Sequence, residues 1–198
     1  MNLSESDTPQ SDPRHTLWSA VTLAAHTLSA AHPDQLDAPT PCSDFTVGRL
    51  GRHLVAVLRR IALAGSGGDP LSVPGIAEDV TDEGLLKAWE EAFRDAQDAW
   101  ADPSVLTRSL TLPFGTLPGA AAALAFTVEF TVHTWDLAVA TGQSPAWDPE
   151  VVALGITTAR RAIPAERRGG PVPFGPVVEV PADAPAIERL VAWTGRTP

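Results

Sequence analysis

The chain has 198 residues, enough for one domain with a substantial hydrophobic core. Its 24 acidic and 14 basic residues give a formal net charge of −10, and the scattered Arg and Lys argue against a surface for nucleic acid or an anionic membrane. We expect a cytoplasmic protein, because the chain has a single cysteine, an acidic N-terminus without signal-peptide features and no apolar run long enough to span a bilayer. We expect it to bind small molecules and to be a monomer or homodimer.

Two helices are predicted in the first third of the chain, after a polar leader. Residues 1–13 are polar and lack periodicity, so we expect a disordered leader there. Apolar residues at three- and four-residue spacing predict a helix over 15–31 and a second one over 47–64. The residues that can cap the second helix are Ser43, Asp44 and Thr46.

The central part of the chain combines one helix with a short extended segment. A third helix is predicted over 81–100, with Trp89 and Trp100 on its buried side. Residues 105–112 show a short alternation of apolar and polar side chains, which indicates a strand or one arm of a hairpin.

The longest predicted helix covers residues 118–142 and is strongly apolar. Pro118 suits its first turn, and Gly142 suits its end because glycine readily adopts the left-handed conformation that closes a helix. A fifth helix is predicted over 148–163, where an aspartate cap is followed by proline and glutamate.

The tail is predicted to contain a short strand over 177–180 and a closing helix over 185–193. The complete pattern indicates a mainly all-α fold, a four-helix bundle with inward polar side chains and a short C-terminal appendage. We expect the bundle to occupy residues 14–165 and the extension, residues 166–198, to pack on it.

Glu129 and His133 are the most informative pair in the sequence. They lie four residues apart in an otherwise apolar helix, so their side chains share one face and can converge on one point. A buried carboxylate needs compensation, which a divalent metal would provide. The spacing also fits an ordinary hydrogen-bonded pair at a helix interface, and that alternative stays open.

His53 is the candidate third ligand. It lies beside Leu50 and Leu54 on the apolar face of the second helix, so it points inward or towards a helix interface. With Glu129 and His133 it would form a site of two histidines and one carboxylate with open positions, whereas alone it is equally typical of a packed histidine bonded to a carbonyl.

Three further side chains near these positions have open roles. Asp136 follows His133 by one turn and fits either a carboxylate that orients a ligand histidine or a surface carboxylate. Cys42, near a helix start, fits a thiolate ligand, a nucleophile or, as we favour, an inert buried thiol. Trp135 is a candidate wall of a pocket.

Two motifs resemble the DinB/YfiT-like family of metal-binding bundles. They read TPCSDFTVGRLGRHL over residues 40–54 and EFTVHTWDLAVATG over residues 129–142. The most similar branch is the N-terminal domain of mycothiol-dependent maleylpyruvate isomerases and their uncharacterised actinobacterial relatives. The tail, residues 174–198, is similar to the ending of one such subfamily.

The resemblance implies a DinB-like bundle with a divalent metal, usually zinc, held by His53, Glu129 and His133. Many members of the wider family use three histidines, so Glu129 places this chain nearer the isomerase branch. That isomerase has a further sterol-carrier-like domain that contributes to its active site, and the tail here is too short to supply all of one. Isomerase activity therefore does not follow from the resemblance.

The leading hypothesis is a metal-binding protein that uses a low-molecular-weight thiol, mycothiol, in a transferase or isomerase reaction on a small electrophilic molecule. The physical reason is that a metal lowers the pKa of a thiol, so that the thiolate exists at neutral pH. A metal-dependent hydrolase and a non-catalytic metal- or ligand-binding bundle are the alternatives.

Overall fold

A computed structural model describes residues 12–166, 168 and 174–198 of the chain. Its helices and strands are α1 (Pro13–Ser29), α2 (Val47–Ser66), α3 (Leu85–Ala99), β1 (Ser109–Leu112), β2 (Gly115–Pro118), α4 (Gly119–Thr141), α5 (Pro149–Ala162) and α6 (Ala186–Trp193). The predicted mainly all-α class is confirmed. Within these residues, no helix combines the length and hydrophobicity needed to cross a bilayer.

The first four helices form the bundle. Helix α1 packs along α4 and α2 packs along α3, with further contacts between α2 and α4 and between α1 and α3. One continuous apolar core lies between them, and its largest fully buried side chains include Trp100, Phe130, Leu17, Leu50 and Leu54. The four amphipathic or apolar faces therefore bury one another, as the sequence pattern predicts.

The helix ends follow the local chemistry of the sequence. Thr46 caps α2 by accepting a hydrogen bond from a backbone N–H of the first turn. Gly142 closes α4 with a φ of 70°, as predicted, whereas Pro118 lies just before the first helical residue. Asp12 caps α1, so the predicted leader is wrong at Asp12 and Pro13, and residues 1–11 lie outside the described part.

Two predicted elements begin more than two residues away from the predicted position. The third helix begins at Leu85 rather than at residue 81, because Gly84 donates its N–H to the carbonyl and hydroxyl oxygens of Thr81 in a turn. Residues 103–107 form a 3₁₀ turn, and only the second half of the predicted segment 105–112 is a strand. That strand, β1, pairs with β2 in an antiparallel hairpin.

The C-terminal part forms a second apolar cluster with the outer side of α4. Helix α6 packs against α5 and α4, and Trp135, the candidate pocket wall, lies in this cluster. The predicted strand over 177–180 is wrong, since those residues pair with no strand among the described residues. Val178 instead donates its N–H to the carbonyl of Ala192.

Candidate metal centre

The structure brings His53, Glu129 and His133 together where α2 meets α4. The Nε2 atom of His53 lies 3.0 Å from Oε1 of Glu129, and Nε2 of His133 lies 3.6 Å from the same oxygen. All three ligand atoms lie within 4.8 Å of one another. The fold thus brings His53, which lies 76 positions before Glu129, into the same small volume as Glu129 and His133, which are four positions apart.

Both outward ring nitrogens are already engaged. Nδ1 of His53 lies 2.7 Å from the carbonyl oxygen of Gly75, and Nδ1 of His133 lies 2.9 Å from Oδ2 of Asp136. A carbonyl and a carboxylate only accept, so each Nδ1 carries a proton. In the neutral tautomer, each Nε2 therefore presents its lone pair to the shared volume.

The loop that carries Gly75 is fixed to α2 by Arg60. Its guanidinium donates to the carbonyl oxygens of Pro70, Val73 and Pro74 at 3.3, 2.9 and 3.3 Å. Arg60 follows His53 by two helical turns, so the helix that supplies the imidazole also holds the loop that orients it.

Asp136 is fully buried and joins the site to the end of the chain. Its two oxygens accept hydrogen bonds from Nε and Nη2 of Arg196 at 3.1 and 2.8 Å. Asp136 contacts the imidazole of His133, so the alternative of a surface carboxylate is wrong. Arg196 could not be predicted from the sequence as a residue of the site, because nothing in the tail indicates a partner 60 residues away.

The carboxylates raise the basicity of the buried imidazole. Burial lowers the pKa of His133, but the negative charges of Glu129 and Asp136 outweigh burial and raise that pKa to about 9. Burial raises the pKa of Glu129, but the two imidazoles outweigh it and hold the pKa well below its ordinary value. The site therefore favours a bound positive charge between these groups.

Cys42 lies beside the site rather than within it. Its sulfur is within 4.8 Å of a nitrogen of His133 and an oxygen of Asp136. The side chain is half-buried, and burial raises the pKa of its thiol, which disfavours the reactive thiolate. The ring centroid of Phe45 lies 5.1 Å from that of His53 and 6.3 Å from that of His133, so an apolar ring packs against both imidazoles.

The donor set fits a divalent metal. Two neutral imidazoles with protonated Nδ1 atoms would direct two lone pairs at the carboxylate of Glu129, an arrangement that is repulsive without a cation between them. Two nitrogens and one oxygen are ligands that suit zinc and similar divalent ions. In the metal-free protein, a proton on Nε2 of His133 supplies a positive charge beside Glu129, but a metal would accept both Nε2 lone pairs.

Comparison with known proteins gives one consistent picture. Residues 17–138 match the family described as the mycothiol maleylpyruvate isomerase N-terminal domain. An uncharacterised protein, matched in two strains of Mycobacterium tuberculosis, is 33% identical over 171 residues, covering 86% of this chain and 90% of the relative.

Solved structures share the fold at low sequence identity. The crystal structure of the mycothiol-dependent maleylpyruvate isomerase superposes with a TM-score of 0.61 at 15% identity, covering 81% of this chain and 70% of that one. A histidine-to-alanine mutant of the isomerase superposes with a TM-score of 0.60 at 14% identity. These likenesses establish the bundle architecture.

Proposed function

The chain belongs to the family of mycothiol maleylpyruvate isomerase N-terminal domains, and on that premise we propose that it is a metal- and thiol-dependent transferase or isomerase. His53, Glu129 and His133 would hold a divalent metal, zinc by the chemistry of the donors. Mycothiol would be the cosubstrate, and the other substrate a small electrophilic molecule. We also propose residues 14–165 as the metal-binding bundle and 166–198 as its extension.

The main support for this proposal is that the Nε2 atoms of His53 and His133 converge on one carboxylate oxygen of Glu129. The three atoms lie within 4.8 Å of one another, and both imidazoles are oriented through Nδ1. Ligand histidines in metalloproteins are characteristically oriented by such a hydrogen bond on the other ring nitrogen. Three protein ligands leave a coordination position for an exogenous group.

The chain's own residues supply orientation and access. The Glu129 side chain is 35% exposed, whereas that of His133 is 9% exposed, so the shared volume opens to solvent on the side of Glu129. Phe45 covers the imidazoles on another side. When bound, a divalent metal lowers the pKa of a coordinating thiol, which makes the thiolate available at neutral pH.

The hydrolase alternative has less support from the geometry. A hydrolytic site needs a carboxylate or imidazole that can take a proton from water. Glu129 contacts both imidazoles, and Asp136 is shared between His133 and Arg196, so both carboxylates of the site are engaged. A non-catalytic bundle is an outcome of the experiment below.

Maleylpyruvate is not assigned as the substrate. The alignment covers 70% of the solved isomerase chain, so that enzyme has a part with no counterpart in the superposition. A substrate pocket shared with that part would differ here. The proposal is therefore limited to a small electrophile that accepts a thiol.

Metal analysis of purified protein tests the ligand set. Wild type is expected to contain one equivalent of divalent metal, and His53→Ala and His133→Ala to lose it, because each removes one of three ligands. His26→Ala is the matched control, since His26 is exposed on α1 and distant in sequence from the ligands. Full metal content in both ligand variants would overturn the site.

Thiol dependence tests the reaction class. Metal-loaded wild type is assayed against a panel of small electrophiles with and without mycothiol, and turnover is expected only with the thiol. Turnover that is unchanged by mycothiol contradicts the proposal, and metal-dependent ester or amide cleavage would identify a hydrolase. A loaded protein without any turnover would identify a binding module.

A further inference from the structure

We infer that Arg196, in the C-terminal tail, is a positioning residue that orients His133 for metal binding by fixing Asp136. The inference rests on the metal site of the proposed function. Arg196 lies beyond residues 17–138, the part of the chain that matches the family, and no ligand role is assigned to it. It touches a carboxylate that in turn touches a proposed ligand.

The contact with Arg196 holds the orientation of the Asp136 carboxylate and also compensates its charge. Arg196 donates Nε to Oδ1 and Nη2 to Oδ2 of Asp136, at 3.1 and 2.8 Å, which is the two-point contact of a guanidinium with a carboxylate. Two points of contact prevent rotation of the carboxylate about its bond to the side chain. Oδ2 is therefore held where Nδ1 of His133 donates to it, at 2.9 Å.

Burial makes this contact necessary. Asp136 is 0% exposed and the Arg196 side chain is 11% exposed, so water does not replace either partner easily. A buried carboxylate that loses its cationic partner costs several kcal/mol, which the protein can reduce only by moving the side chain or taking up a proton. Either response removes the fixed acceptor that orients the imidazole of His133.

The tail itself is held at the required position. The N–H of Arg196 donates to the carbonyl of Val191 at 3.0 Å, which ties the residue to the end of α6. Gly195 has a φ of 91° and packs so closely on Gly175 that a Cβ atom would lie 3.0 Å from the backbone of Gly175. The guanidinium thus projects from a fixed turn rather than from a loose chain end.

Zinc and cobalt affinity of the metal-free protein tests the inference. Arg196→Met is expected to weaken binding of Zn²⁺ and Co²⁺, measured by competition with a chromophoric chelator, by about 10–100-fold, the range for loss of a residue that orients a ligand. Arg196→Lys keeps the charge and the fold but cannot contact both oxygens, so its affinity is also expected to fall.

Arg168→Met is the matched control. Arg168 also anchors the extension, because it donates to the carbonyls of Gly175 and Ile163 and lies over the ring of Trp193. These contacts with described residues lie in the extension and not at the metal centre, so loss of Arg168 is expected to lower the melting temperature without changing metal affinity. This variant shows whether weaker anchoring of the extension alone lowers metal affinity, without loss of the contact between Arg196 and Asp136.

A double variant tests whether Arg196 acts through Asp136. If it does, Asp136→Asn with Arg196→Met is expected to bind metal as Asp136→Asn alone does, because the intermediary is already changed. The role of Arg196 would be refuted if Arg196→Met bound metal as tightly as wild type. It would also be refuted if the losses of metal affinity in the two single variants added fully in the double variant. Wild type that binds neither metal would instead refute the proposed function.

Discussion

Raising the pH of the metal-free protein from 6.5 to about 9 is expected to remove roughly 3 kcal/mol of stability that depends on His133. The pKa of His133 is raised from 6.5 to about 9, and each pH unit of difference corresponds to about 1.4 kcal/mol. Because the pKa is higher in the folded protein, this stabilisation is complete below 6.5 and is lost as the pH rises through about 9.

Urea unfolding in the presence of EDTA measures this loss across the same pH range, with His133→Gln as the control. The difference in unfolding free energy between the two proteins is expected to shrink as the pH rises. In excess Zn²⁺ the decline of wild type is expected to disappear, because a metal on Nε2 of His133 replaces the proton and the folded protein then has no proton to lose at this position. A difference that stays constant with pH in EDTA would refute the assignment of a proton to His133.

The remaining predictions concern the fold and are measured as urea midpoints at constant slope. Gly119→Ala is expected to cost on the order of 3 kcal/mol, because the new Cβ would overlap the carbonyl of Val105. Gly75→Ala, with open space at its Cβ position, is expected to stay within about 0.5 kcal/mol, and an equal loss in both variants would contradict the packing argument. Asp148→Ala is expected to cost about 1 kcal/mol, since Asp148 accepts backbone hydrogen bonds at the start of α5, and an unchanged midpoint would contradict this role.

Local chemistry explains why most of the bundle could be predicted from the sequence. The helices α2 and α5 begin at side chains that accept backbone hydrogen bonds, and α4 ends at a left-handed glycine. The spacing of Glu129 and His133 places them on one face wherever a helix forms. His53 could be found because the apolar stripe of its helix defines which side faces the bundle.

The features that the sequence could not predict depend on distant parts of the chain. Residues 177–180 have the composition of a strand, but a strand requires a partner edge, and Val178 finds the carbonyl of Ala192 instead. Arg196 has no periodic neighbours, and its pairing with Asp136 arises only when α6 packs against α4 and α5. The Gly75 carbonyl that orients His53 likewise belongs to a loop without a sequence pattern.

Arg196 also sets the charge that the proposed metal site would offer to a thiol. Glu129 and Asp136 carry two negative charges and Arg196 carries one positive charge, so the centre with neutral imidazoles has a net charge of minus one. A divalent cation, bound as proposed, would change that net charge to plus one, which a single thiolate would neutralise. Without Arg196, the loaded centre would be neutral and would gain a negative charge on binding a thiolate in a partly buried place. In the proposed metal site, the same guanidinium that orients His133 would therefore also favour an anionic sulfur ligand. The lysine variant separates the two effects because it keeps the charge and loses the two-point contact.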